Sequence, residues 1–126
     1  MADIPVTKNS ERELAVPTDW RRGFYSIVEY LCFETALPPD KHIRVLHPPE
    51  SWRVETLEYV ADYGETLSTL PEETWNTSVV IWMESYWEVL VDLYTEESGL
   101  SDMVLHARVY PENSGYRIDP GLVCVP

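Results

Sequence analysis

Apolar residues recur along this chain with two different periods. From Trp20, the positions Trp20, Phe24, Ile27, Val28 and Leu31 fall at i, i+4, i+7, i+8 and i+11, the spacing that lines one face of an α-helix. Pro17, Thr18 and Asp19 supply a start signal, and the Pro38-Pro39 pair stops the helix near Ala36. Gly23 costs this helix about 1 kcal/mol relative to alanine unless a neighbour packs closely against it. A second helix is expected from Ser51, with Val54, Leu57, Val60 and Ala61 on one face, Glu55, Glu58 and Asp62 on the other, and Gly64 at its C-terminal cap. Between the two, HIRVL (42–46) reads as a short strand or extended link. Pro71, Glu72 and Glu73 open a short helix running through Trp75.

From Ser78 onward the period becomes two. SVVIWM, YWEVLVDLYT, SDMVLHARVY and GYRIDPGLVCV read as four strands, and their connections are too short for helical crossovers, so neighbours should run antiparallel. In the second strand Trp87, Val89, Val91 and Leu93 form the core set, and Glu88, Leu90, Asp92 and Tyr94 face away. In the third, Met103, Leu105, Ala107 and Val109 face the core, opposite Asp102, Val104, His106, Arg108 and Tyr110. The apolar face of such a sheet needs a cover, which gives an α+β fold: two N-terminal amphipathic helices packed on a four-stranded antiparallel sheet. Residues 17–126 make this one domain, and residues 1–16, polar and without sustained period, make a loose arm.

Composition agrees with one domain. The 126 residues are 44% hydrophobic, enough for a single core without disulfide or metal staples. Cys32 and Cys124 each sit among apolar neighbours and read as reduced, mostly buried small hydrophobes. No apolar run reaches membrane-spanning length and the N-terminus lacks the pattern of a signal peptide, so the expected location is the cytoplasm.

Charge changes the picture more. Residues 50–102 hold 13 of the 22 acids and one base, Arg53, a net of −12, whereas residues 1–49 hold seven acids and six bases and residues 103–126 two of each. A field of that sign repels nucleic acid and anionic membrane and speeds encounters with a cationic partner; the plainer reading is solubility.

The acidic stretch DLYTEESGLSD (92–102) admits four readings. As a wet hairpin turn, Gly99 supplies the positive-φ position and Ser101 and Asp102 cap backbone N–H groups at the loop exit. A metal loop needs oxygens alternating around a turn glycine, and the adjacent Glu96 and Glu97 diverge, so no metal is expected. Acid–base catalysis needs substrate-gripping partners, and His42, His47 and His106 stand isolated, with no catalytic or cofactor-binding motif anywhere; neither catalysis nor a cofactor is expected. Recognition remains. Glu84, Glu88, Asp92, Glu96, Glu97 and Asp102, interleaved with Tyr86, Tyr94 and Trp82, suit a cationic protein surface, where charge steers the encounter and aromatic anchors hold it.

The run WEVLVDLYTEESGLSDMVL (87–105) resembles a family of small acidic bacterial proteins of unknown function that share WxVLVDLYTEExGxSDxVL, and YGETLSTLPEETW (63–75) and the closing LVCVP are similar to it too. Ser98 stands where that pattern leads one to expect another acid, which weakens a chemical role for the carboxylates. The resemblance implies a shared fold and no activity. In type, a small acidic domain without catalytic signatures also resembles the immunity proteins that neutralise nuclease toxins. The expected function is therefore non-enzymatic binding of a basic protein, such as a toxin nuclease domain, through the acidic strand face. The alternatives are a small-ligand or enzymatic domain with an aromatic pocket of Trp82, Trp87 and Tyr94, or an oligomer joined at the sheet edge.

Overall fold

The computed structural model describes residues 3–126 and runs β1 (Leu14–Ala15), α1 (Arg21–Phe33), β2 (Ile43–Val45), α2 (Glu50–Tyr63), β3 (Val79–Trp82), β4 (Trp87–Thr95), β5 (Gly99–Glu112) and β6 (Gly115–Cys124). The strands form one sheet in the order β1-β3-β4-β5-β6-β2. The four expected strands are antiparallel neighbours, with Val89 opposite Ala107 and Val109 opposite Ile118. Two further strands overturn the expected four-stranded antiparallel sheet. β1 extends β3 antiparallel, and β2 lies parallel to β6, so the sheet is six-stranded and mixed. Segments of two and three residues are too short to carry a visible period, and their pairing is decided by the strand they join.

The period-two sets fall as their spacing requires. Trp87, Val89, Val91 and Leu93 of β4 and Met103, Leu105, Ala107 and Val109 of β5 are buried on one face. α1 lays Phe24, Ile27, Val28 and Leu31 onto that face, and burying side chains of this size contributes about 1.5–3 kcal/mol each. A methyl group at Gly23 would sit 2.7 Å from Cδ1 of Ile118, so the missing side chain lets α1 approach β6. Trp20, in the 3-10 turn Thr18–Trp20 ahead of α1, packs edge-on to Trp87 and Tyr116, and its buried indole N–H finds no hydrogen-bond acceptor among the described residues. The helix ends at Phe33, earlier than its expected limit at Ala36, because Glu34 turns left-handed at φ 58.

The second helix also differs from expectation. α2 starts at Glu50 after Pro49, and its inward stripe is Trp52, Thr56 and Val60, while Val54 and Ala61 are exposed. It guards an edge as much as it covers a face. β2 pairs only with Tyr116–Ile118 of β6, and the Trp52 indole donates to the Gly121 carbonyl (2.8 Å) on the unpaired remainder. At the opposite edge lies the expected arm, whose first two residues fall outside the described residues. Its Thr7 carbonyl accepts from the Trp87 indole (3.0 Å), its Asn9 carbonyl from the Trp82 amide (3.1 Å), and Ile4 exchanges hydrogen bonds with Thr18.

Candidate functional site

β4 and β5 meet in the turn Glu96-Glu97-Ser98, closed by the pair Thr95 and Gly99, with Gly99 at φ 70. A β-bulge follows between Asp92 and Tyr94, and buried Ser101 braces it by donating to the Leu93 carbonyl (2.8 Å) and accepting from the Met103 amide (3.1 Å). The segment after α2 clamps the turn from the side. Glu97 accepts from both the amide (2.7 Å) and the hydroxyl (2.8 Å) of Thr66, and these bonds hold its carboxyl below the ordinary range. The Glu96 amide donates to the Thr66 carbonyl, Ser98 Oγ donates to Glu65, and Tyr63 Oη donates to Asp102 (3.3 Å).

Both helices end here. α2 closes at Gly64 immediately before the clamping segment, and near the end of α1 the Cys32 thiol reaches the Leu67 carbonyl. Burial pushes that thiol up to about 11, and the charge on Glu96, then the smaller effect of Glu29, adds to it against Arg53. Glu29, Glu65, Glu96, Glu97 and Asp102 therefore gather at the end where two helix C-termini contribute further negative potential. The one base of the central segment is already engaged: Arg53 donates through Nε to the Tyr30 carbonyl (3.0 Å) and through Nη2 to that of Leu31 (3.1 Å), capping α1. Phe33, at 67% exposure, projects from the same helix end, and Leu100 in the hairpin is half exposed.

The acids and tyrosines expected to bind a partner do not share one surface. Glu96, Glu97 and Asp102 belong to the acidic end. Asp92 and Tyr94 lie beside it on the uncovered sheet face, where burial first, then the charges of Glu73 and Asp92, raise the Tyr94 hydroxyl. Glu84, at φ 74 in the β3–β4 turn, and Tyr86 stand at the other end of the nine-residue β4, about 30 Å away. There bases accompany the acids. Arg108 stacks on Tyr86 (4.6 Å), Glu88 meets His106 (3.1 Å), and Arg44, Glu112, Arg117 and Asp119 form a linked set of ion pairs. The expected aromatic pocket is not assembled either: Trp87 is buried on the core face against Trp82 (4.6 Å), and Tyr94 is on the opposite face. Reasoning from sequence missed Glu29, Glu65, Thr66 and Arg53, whose roles depend on contacts between distant segments.

Among the described residues no group of three or more His, Cys, Asp or Glu is arranged to hold a metal ion, and no helix is long and apolar enough to cross a membrane. A family model, Domain of unknown function (DUF7668), matches residues 44–126, and the chain belongs to that family. The match takes in the run 87–105 and all the strands from β3 to β6. No curated protein and no solved structure matches the chain.

Proposed function

We propose that this member of the DUF7668 family is a non-enzymatic binding module for a cationic protein, which it meets with the acidic end of the β4–β5 hairpin. The observation that carries the reading is the gathering of Glu29, Glu65, Glu96, Glu97 and Asp102 around two helix C-termini while Arg53 is turned inward to cap α1. Thr66, Ser98 and Tyr63 hold the carboxylates as neutral donors, so geometry is fixed and charge is left intact. Such a preset negative field raises the encounter rate with a basic surface, and exposed Phe33 and Leu100 offer apolar contacts once the two have met.

In its most concrete form the partner is a nuclease-type toxin, whose phosphate-binding surface is basic, and the protein is the immunity factor that covers it in the cytoplasm. The test is co-purification with the product of the adjacent upstream gene. A partner retained at low salt and released as salt rises supports the proposal. If the neighbour encodes no toxin and nothing is retained at low salt, the immunity reading fails.

A further inference from the structure

A cleft of about 590 Å³ opens where the first turns of α1 meet the loop before β2 and the 3-10 turn Glu72–Asn76. It lies within the size range of small-ligand sites. Its charges are unusual for this molecule. Arg21 and Arg22 line the same cleft as Asp19, Asp40 and Glu72, yet no ion pair joins either arginine to a carboxylate among the described residues. Arg44, Arg53 and Arg117 each have a carboxylate partner elsewhere in the chain.

Neutral groups hold these charges in place. Arg21 donates through Nε (3.1 Å) and Nη2 (3.0 Å) to the Val16 carbonyl and lies over the Trp75 ring (5.3 Å), leaving its other nitrogen without a partner among the described residues. Asp40 accepts from the amides of His42 (2.8 Å) and Ile43 (3.1 Å), which keep its carboxyl below the ordinary range and ionised. Glu72 accepts from Tyr25 Oη (2.9 Å), which itself accepts from the Trp75 indole (2.9 Å). Arg22 is exposed and its guanidinium makes no hydrogen bond among the described residues. Opposite charges thus share one cleft, with Arg21, Asp40 and Glu72 held by neutral groups and Arg22 extended beside them, next to an apolar surface from Trp75, Tyr25 and Ile43. With Asp3 included, four carboxylates stand against two guanidinium groups, so the cleft as a whole favours a cation.

We propose that this cleft binds a small zwitterion of the amino-acid class bearing a further positive group, its carboxylate taken by Arg21 and Arg22 and its cationic groups by Asp19, Asp40 and Glu72. The site is separate from the acidic hairpin and stands or falls independently of the partner proposed there. The experiment follows backbone amide NMR shifts during titration of the full chain with L-arginine, agmatine (which lacks the carboxylate) and N-acetyl-L-arginine (which lacks the free amine). L-Arginine should saturate at about millimolar concentration, as expected for so small a ligand, with shifts in α1's first turn and around Asp40, and both analogues should bind more weakly. Arg22→Glu should weaken L-arginine about tenfold, the scale of one lost charge-assisted contact, whereas Arg12→Glu, the same charge change on the arm, should not. No saturable shift, equal binding of the three compounds, equal effects of the two variants, or shifts confined to the hairpin end would each overturn the proposal.

Discussion

Arg53 is the only base among residues 50–102, and its bonds distinguish neutralisation of charge from a directed cap. Its side chain is 15% exposed, and its two donors reach the carbonyl of Tyr30, which also accepts from the Glu34 amide (2.8 Å), and that of Leu31 in the last turn of α1. Its contact with Glu34 is longer, at 3.7 Å, and Glu34 is 59% exposed, so that ion pair contributes within about 0–1 kcal/mol. Each charge-assisted bond is worth about 1.5–3 kcal/mol, but the two share one guanidinium and water can reach part of the helix end, so Arg53→Ala should cost about 2–4 kcal/mol. At about 2.1 cal/mol/K of unfolding entropy per residue, a chain of 126 residues loses about 4 °C per kcal/mol, which places the fall in melting temperature at about 8–15 °C. Arg53→Lys keeps the charge but cannot span both carbonyls, and should recover less than half the loss; Glu34→Ala should stay within about 0.5 kcal/mol of the parent protein. Urea unfolding followed by tryptophan fluorescence measures all three. Full rescue by lysine, or an alanine variant within about 0.5 kcal/mol of the parent, would refute a directed cap.

Other contacts make separate predictions. Thr74, fully buried, donates to the Asp92 carbonyl (2.6 Å) and contacts Ser78 Oγ (3.1 Å), so Thr74→Val should cost about 1–3 kcal/mol in the same urea assay, and an unchanged midpoint would contradict the bond. Ser101→Ala removes the brace of the bulge and should cost a similar amount, with hydrogen exchange of the Met103 amide accelerated. Asp40, Glu97 and Glu112 have folded-state carboxyls below their ordinary range, so their contribution is complete above the unfolded values of 3.8 and 4.5 and is lost as pH falls through the folded ones. Glu97→Gln should therefore flatten the acid limb of the stability curve, and a limb of unchanged slope would rule out this linkage. Cys32, half-buried and with its thiol pushed up to about 11, should alkylate more slowly at about pH 8 in the native than in the unfolded protein, as mass spectrometry of the modified peptide would show; equal labelling rates would contradict its partial burial.

Regular alternation made the centre of the sheet readable. Trp87, Val89, Val91 and Leu93 and their partners from Met103 to Val109 sit on the face their spacing implies, and Gly99 and Gly64 take the positive φ their positions suggest. The edges were not readable, because the two residues of β1 and three of β2 acquire strand geometry only by pairing with β3 and β6. α2 misleads a pattern search for a different reason: buried Thr56 and exposed Val54 exchange the places that hydrophobicity assigns them. At the site, the acidic turn was visible as a cluster in sequence. Its clamp was not, since Thr66 and Glu97 are 31 residues apart and GETLSTL reads only as a polar spacer. Nor could spacing reveal that Arg108, Arg117 and Arg44 accompany the acids at the far end of β4 and β5, so that along these two strands the excess charge is left at the hairpin end.

The central claim is that the hairpin end, with its carboxylates held by neutral donors, steers a basic protein. Its most direct test is the association rate constant with the upstream-encoded partner, measured by stopped flow at low and physiological salt for the parent, for Glu96→Lys/Glu97→Lys and for Glu84→Lys/Glu88→Lys. The hairpin variant should associate at least about tenfold more slowly at low salt, the lower end of the electrostatic steering range, and lose most of its salt dependence, whereas the far-end variant should change little. Equal rates for the parent and hairpin variant, or a larger loss in the far-end variant, would contradict the account.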